Sequence, residues 1–98
     1  MNLQQLEYIV AVDTYGQFLK AAEKCFVTQA TLSMMIRKLE EELGVRIFDR
    51  SRQPVTATES GMKVISEART ILMQCERLRE LAHEEVNELK GDLKMGII

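Results

Sequence analysis

Only three residues, Phe26-Val27-Thr28, separate two amphipathic stretches, and that brevity constrains the fold more than any other feature of the chain. Upstream, Phe18, Ala22 and Cys25 recur at i, i+4 and i+7, one apolar stripe on a short helix. Downstream, Leu32, Ile36, Leu39 and Leu43 recur at i, i+4, i+7 and i+11, the stripe of a longer helix. So short a connection forces the two helices to cross sharply, with both stripes turned to one core. This is how a helix-turn-helix is built, and its second helix is the one that enters a DNA major groove. Periodicity alone leaves an ordinary amphipathic helix with a solvated face equally open.

The second helix carries the chemistry that DNA reading needs. Thr28 is placed as its N-cap, the hydroxyl accepting an otherwise unpaired amide of the first turn. Gln29, Thr31, Ser33 and Arg37 project away from the apolar stripe, with Ala30 and Met34 between them and Lys38 beside Arg37. Glutamine pairs bidentately with adenine, hydroxyls donate or accept, and small apolar groups touch a thymine methyl. The helix N-terminus favours a nearby phosphate. Gly44 is suited to end the helix in a left-handed conformation. Beyond it, Val45, Ile47, Val55 and Ala57 suggest two short strands around the turn Ser51-Arg52-Gln53-Pro54. Such a hairpin is a wing, and Arg50 and Arg52 at its tip would reach phosphates or the minor groove. The alternative for Arg50 is an ion pair with Asp49 or Glu7.

Ala21-Ala22-Glu23, Val27-Thr28-Gln29, Ser33, Ile36, Leu39-Glu40-Glu41-Glu42-Leu43-Gly44-Val45, Phe48-Asp49-Arg50 and Thr58-Glu59-Ser60-Gly61 resemble the amino-terminal signature of LysR-type transcriptional regulators. The match runs from Met1 to about Gly61 without a gap. Leu6–Val12 and Gly91–Ile98 are similar to the peroxide-responsive OxyR branch of that family. The resemblance implies that Thr28 caps the recognition helix, that Gln29, Thr31, Ser33 and Arg37 face bases or phosphates, and that Arg50 and Arg52 lie in the wing. Ala30 stands where the family usually has proline, Met34 where arginine is frequent, and Gln17 where serine often opens the preceding helix.

Two further helices complete the expected architecture. Leu3, Leu6, Ile9, Val10 and Val12 form the buried side of an opening helix that Gly16 stops. From Glu59 to Lys90 nothing breaks helical character, and about 32 residues would extend about 48 Å. Thr58 or Thr56 caps its start, and Gly61 sits in its first turn, where it costs little. Ile65, Ala68, Leu72, Cys75, Leu78, Ala82 and Leu89 trace a stripe along it in steps of three and four. So short a chain has too little left to cover that stripe, so a second copy is the economical cover, giving a two-fold dimer on an interrupted palindrome. The expected fold is thus mostly α. It comprises a winged helix-turn-helix over 1–58, a long dimerisation helix over 59–90, and a strand-like tail over 91–98. By the resemblance that tail begins an effector-binding domain, so the chain reads as a DNA-binding fragment without its sensor, its last residues disordered.

Composition restrains these readings without suggesting them. At 98 residues the chain supports one small domain. Its net charge of −2 lacks the basic excess usual for nucleic-acid binding. Residues 1–58 hold seven bases, Lys20, Lys24, Arg37, Lys38, Arg46, Arg50 and Arg52, against seven acids. Charge is therefore arranged locally, and affinity for random DNA should be modest. The run Glu40-Glu41-Glu42 reads as a solvated face pairing with Arg37 and Lys38 at helical spacing. Cys25 and Cys75 lie on apolar stripes and read as packing residues, with a cross-link of Cys75 across the dimer seam as the alternative. His83, the one histidine, sits among Glu84 and Glu85 as a surface residue. With no metal-ligand spacing and no phosphate loop, no cofactor, metal or enzymatic activity is expected. No signal peptide or membrane span is read, so the expected location is the cytoplasm. The expected partners are double-stranded DNA, a second copy through the long helix and, by the resemblance, RNA polymerase. The competing function is a helical protein-interaction module acting through the long helix.

Overall fold

The structure, a computed structural model, describes residues 1–92, with side-chain surroundings through Asn87. The expectations for the tail at 93–98 and for the face occupied by Leu89 lie outside the described residues. The elements run α1 (Leu3–Tyr15), α2 (Phe18–Lys24), α3 (Gln29–Leu43), β1 (Phe48–Asp49), β2 (Thr56–Ala57) and α4 (Glu59–Asp92). The fold is the expected one: three helices, a two-stranded antiparallel hairpin and a long helix.

Local sequence explains each boundary. Asn2 caps α1 in a reciprocal box with Gln5, each side chain taking the other's backbone amide. Gly16 ends α1 at φ 69°, and its carbonyl accepts the amide of Val55, tying the hairpin to the end of α1. α2 has no side-chain cap at Gln17. α3 opens on Thr28, whose Oγ1 accepts the Thr31 amide at 3.1 Å, and ends at Gly44 with φ 71°. The hairpin pairs Phe48 with Ala57 and Asp49 with Thr56 around the turn at 51–54. Thr58 rather than Thr56 caps α4, its Oγ1 accepting the Gly61 amide at 2.9 Å.

The core is one cluster under all the elements. Leu6, Tyr8, Ile9 and Val12 from α1, Ala21 and Ala22 from α2, and Leu32, Ile36 and Leu39 from α3 meet Ile47, Phe48 and Val55. Phe18 packs edge-on against Phe48 with ring centroids 6.1 Å apart. Two residues assigned inward by period lie outward instead. Leu3 and Leu43 occupy the first turn of α1 and the last turn of α3, where the helices overrun the core, and both are exposed. Gln5 is buried instead, its amide donating to the carbonyl of Met35.

α4 divides into two parts. Its first turns close the core: Ile65 and Ala68 are fully buried there, and Leu72 packs against the same cluster. These three were expected on a face covered by a second copy. Ile65 and Ala68 are covered by the chain's own core, and Leu72 in part, because α4 lies along α1 before it projects away. Beyond Leu72 no described side chain is fully buried. Around and beyond it the exposed apolar side chains are Ile71, Met73, Leu78, Leu81, Ala82 and Val86. Of these, Ile71, Leu78 and Ala82 line up with half-buried Cys75 in steps of four, three and four. That line starts at Ile71, one residue off the stripe traced through Leu72.

Candidate nucleic-acid interface

α3 is anchored through Leu32, Ile36 and Leu39, each with no exposed surface. That anchoring turns Ala30, Met34, Arg37 and Lys38 outward along one edge, with Gln29 and Thr31 exposed in the first turn. The Thr28 hydroxyl both accepts the Thr31 amide and donates to Thr31 Oγ1 at 2.9 Å, so the two hydroxyls are held together at the helix start. The remaining first-turn amides have no helical acceptor, which suits that end to an anion. Arg37 and Lys38 form no ion pair with the neighbouring glutamates among the described residues. Both cations are free for a ligand.

Two of the predicted contacts face inward. Ser33 and Glu40, two turns apart on the flank of α3 beside the hairpin, both receive Arg50. One nitrogen of its guanidinium donates to Ser33 Oγ at 3.1 Å, the other reaches Glu40 at 3.5 Å, and the group stacks over the Phe18 ring at 4.6 Å. Arg50 is thus not at the wing tip, and its acid is neither Asp49 nor Glu7. Burial pushes its pKa down, partly opposed by Glu40, but a guanidinium keeps its proton throughout the working range. Its guanidinium thus ties the start of the turn to α2 and α3. Arg52 does occupy the exposed turn.

Glu40 was expected on a solvated face and is turned inward. Its carboxylate accepts the amides of Ile47 at 2.7 Å and Phe48 at 3.4 Å as well as Arg50. Sequence spacing pointed it at Arg37 and Lys38, but the unpaired amides after Gly44 are the stronger claim on it. At the wing, Asp49 accepts the Ser51 amide and hydroxyl, which holds its carboxyl below the usual range, Arg52 and Arg46 adding to the effect. Burial, then the charge of Glu7, pushes the Cys25 thiol up, as suits a packing residue rather than a nucleophile. Among the described residues no group of three His, Cys, Asp or Glu is placed to hold a metal ion. No helix among them is long and apolar enough to cross a membrane.

Taken together, an anchored second helix with a polar outer edge, a tight turn before it and a hairpin after it define a winged helix-turn-helix protein. Residues 3–62 match the family described as bacterial regulatory helix-turn-helix protein, lysR family, and the chain belongs to that family. It is 44% identical over 98 residues to the hydrogen peroxide-inducible genes activator of Haemophilus influenzae, covering all of this chain and 33% of that protein. The chain therefore spans about a third of the length of the curated relatives it matches. Among solved structures, a full-length OxyR variant from Pseudomonas aeruginosa superposes with TM-score 0.82 at 44% identity, over 86% of this chain and 28% of that one. A complex of the BenM DNA-binding domain with catB site 1 DNA superposes with TM-score 0.87 at 33% identity, over 90% and 95% of the respective chains.

Proposed function

We propose that this chain binds duplex DNA as a homodimer and serves a transcription regulator as its reading head. The N-terminal half of α3 lies in the major groove, and Arg52 reaches backbone or minor groove from the wing. The observation that carries this reading is the outer edge of α3, where Gln29, Thr31, Arg37 and Lys38 are exposed on a helix locked from behind. The likeness to a BenM DNA-binding domain in complex with DNA supports the reading that this chain binds duplex DNA. Thr28 fixes the helix start, while Ser33 and Arg50 hold α3 against the wing. The exposed seam of α4, Ile71–Cys75–Leu78–Ala82, suits a second copy in a paired-helix contact. Two recognition helices at one fixed separation then read an interrupted palindrome. RNA polymerase as a further partner and the cytoplasm as the place of action follow from the same reading.

Fluorescence anisotropy with a palindromic duplex and a scrambled one, at two salt concentrations, tests it. The chain should prefer the palindrome, and salt should weaken both complexes. Gln29→Ala should lose about tenfold to a hundredfold in affinity for the palindrome, the worth of one bidentate base contact, with dimerisation unchanged. Leu78→Lys places a charge in the apolar seam. It should sediment as a monomer and bind the palindrome no better than a half-site. The competing reading, an interaction module acting through α4, requires equal and feeble binding to both duplexes and no effect of Gln29→Ala.

A further inference from the structure

We infer that Phe26 is a direct DNA contact, its ring packing on apolar carbon of the duplex at the edge of the groove that α3 enters. This rests on the reading of α3 as the DNA-reading helix and adds to it a residue that the polar edge alone does not reveal. Phe26 is 94% exposed, more than any other large apolar side chain described. Its backbone is also unusual, with φ 59° in the left-handed region, where it is the only residue besides glycine among those described. A bulky side chain rarely adopts that conformation, and glycine or asparagine would take it without strain. The turn imposes it: the Phe26 amide donates to the Glu23 carbonyl at 3.2 Å and the Val27 amide to the Ala22 carbonyl at 3.1 Å. An aromatic ring here therefore strains the backbone and contributes nothing to the core. A residue that serves neither fold nor solubility, at a strained position, marks a functional surface.

Its position says which surface. Phe26 stands two residues before the N-cap Thr28, within about 7 Å of it along the chain. A recognition helix presents its N-terminal residues to base edges, so the turn leading into it lies at the lip of the groove. Ala30 and Met34, one turn apart on the outer edge of α3, continue the apolar character beyond it. Two kinds of apolar carbon are available there, the thymine 5-methyl and the deoxyribose face. An aromatic ring with two side-chain torsions loses little freedom on meeting either.

The test uses the whole chain and a duplex that it selects from a random pool. Phe26→Gly should raise the dissociation constant about tenfold, the effect of losing a partly buried ring. Its melting temperature should be unchanged or higher, its sedimentation unchanged, and its salt slope unaltered because no phosphate contact is lost. Phe26→Leu should keep most of the affinity. Replacing each thymine by deoxyuridine separates the two carbon sources. A methyl contact shows as one position that weakens the unaltered chain and leaves Phe26→Gly unmoved. A deoxyribose contact shows as a weakened Phe26→Gly with no sensitive thymine. Full affinity in Phe26→Gly beside a weakened Gln29→Ala would overturn the inference and leave the reading of α3 standing. Full affinity in both would sink that reading too. Weaker binding with a lowered melting temperature would reduce Phe26 to a structural role and equally overturn the inference.

Discussion

Gly61→Ala should destabilise the chain by about 3 kcal/mol, toward the upper end of what overpacking costs. A Cβ at Gly61 would stand 1.9 Å from the Ile47 carbonyl oxygen, 2.7 Å from its carbon and 2.9 Å from its Cα. All three are backbone atoms, so no rotamer change relieves the overlap. The segment cannot retreat easily either. The Thr58 amide donates to the Ile47 carbonyl at 2.9 Å and the Thr58 hydroxyl to the Arg46 carbonyl, while the Ile47 side chain has no exposed surface. Alanine's helix preference over glycine, about 1 kcal/mol at most, opposes the effect and does not offset it. For a chain this short, 3 kcal/mol corresponds to a fall in melting temperature of about 12–24 °C. Circular dichroism melts at matched protein concentration would read it, since the proposed self-association would make the midpoint concentration-dependent. A melting temperature equal to that of the unaltered chain would mean that α4 does not press on the strand lead-in as described.

Glu40→Ala should cost about 2–3 kcal/mol, and Glu40→Gln less. Alanine strands two peptide amides, of Ile47 and Phe48, and removes the counter-charge of Arg50, whose side chain is 29% exposed. An unmet buried donor costs about 1–3 kcal/mol, and a guanidinium left without its acid adds to it. Glutamine keeps one acceptor oxygen and so retains the amide contact at 2.7 Å while losing the charge. Glu41→Ala, one residue along on the exposed face, should change stability by no more than about 0.5 kcal/mol. Denaturant unfolding of the three variants would show the order Ala, Gln, unaltered chain. Equal losses from Glu40→Ala and Glu41→Ala would contradict the inward placement of the carboxylate.

These two residues also mark where the sequence is legible and where it is not. The α3 stripe as far as Leu39, the Thr28 cap and the Gly44 stop are local patterns, each complete within a few residues, and these read correctly. Glu40 is different because its partners are backbone amides seven and eight residues on, beyond a glycine turn that no period describes. Gly61 reads as harmless in a first turn because its neighbour, the Ile47 backbone, is brought there only by the hairpin. Arg50 looks like a wing-tip residue when the hairpin is drawn from alternating apolar residues. The strands are two residues each, so Arg50 opens the turn, and its side chain folds back onto Phe18, Ser33 and Glu40. On α4 the stripe is legible but its cover is not. A period of three and four does not say whether Ile65 and Ala68 meet the chain's own core or a second copy.

α4 runs without interruption from the buried Ile65 to the exposed Leu78, and a continuous helix is also a gear. Each residue turns the helix by about 100° and advances it by about 1.5 Å. The direction in which the seam faces is therefore locked in phase to the head that carries α3. One residue inserted after Leu72 would swing the seam a quarter-turn or more while leaving every core contact intact. Seven inserted residues would bring it back to within about 20° of its original bearing, farther out by about 10 Å. In the proposed dimer, length and angle between the two heads would thus be written in the same stretch of helix, and small insertions could not alter them independently.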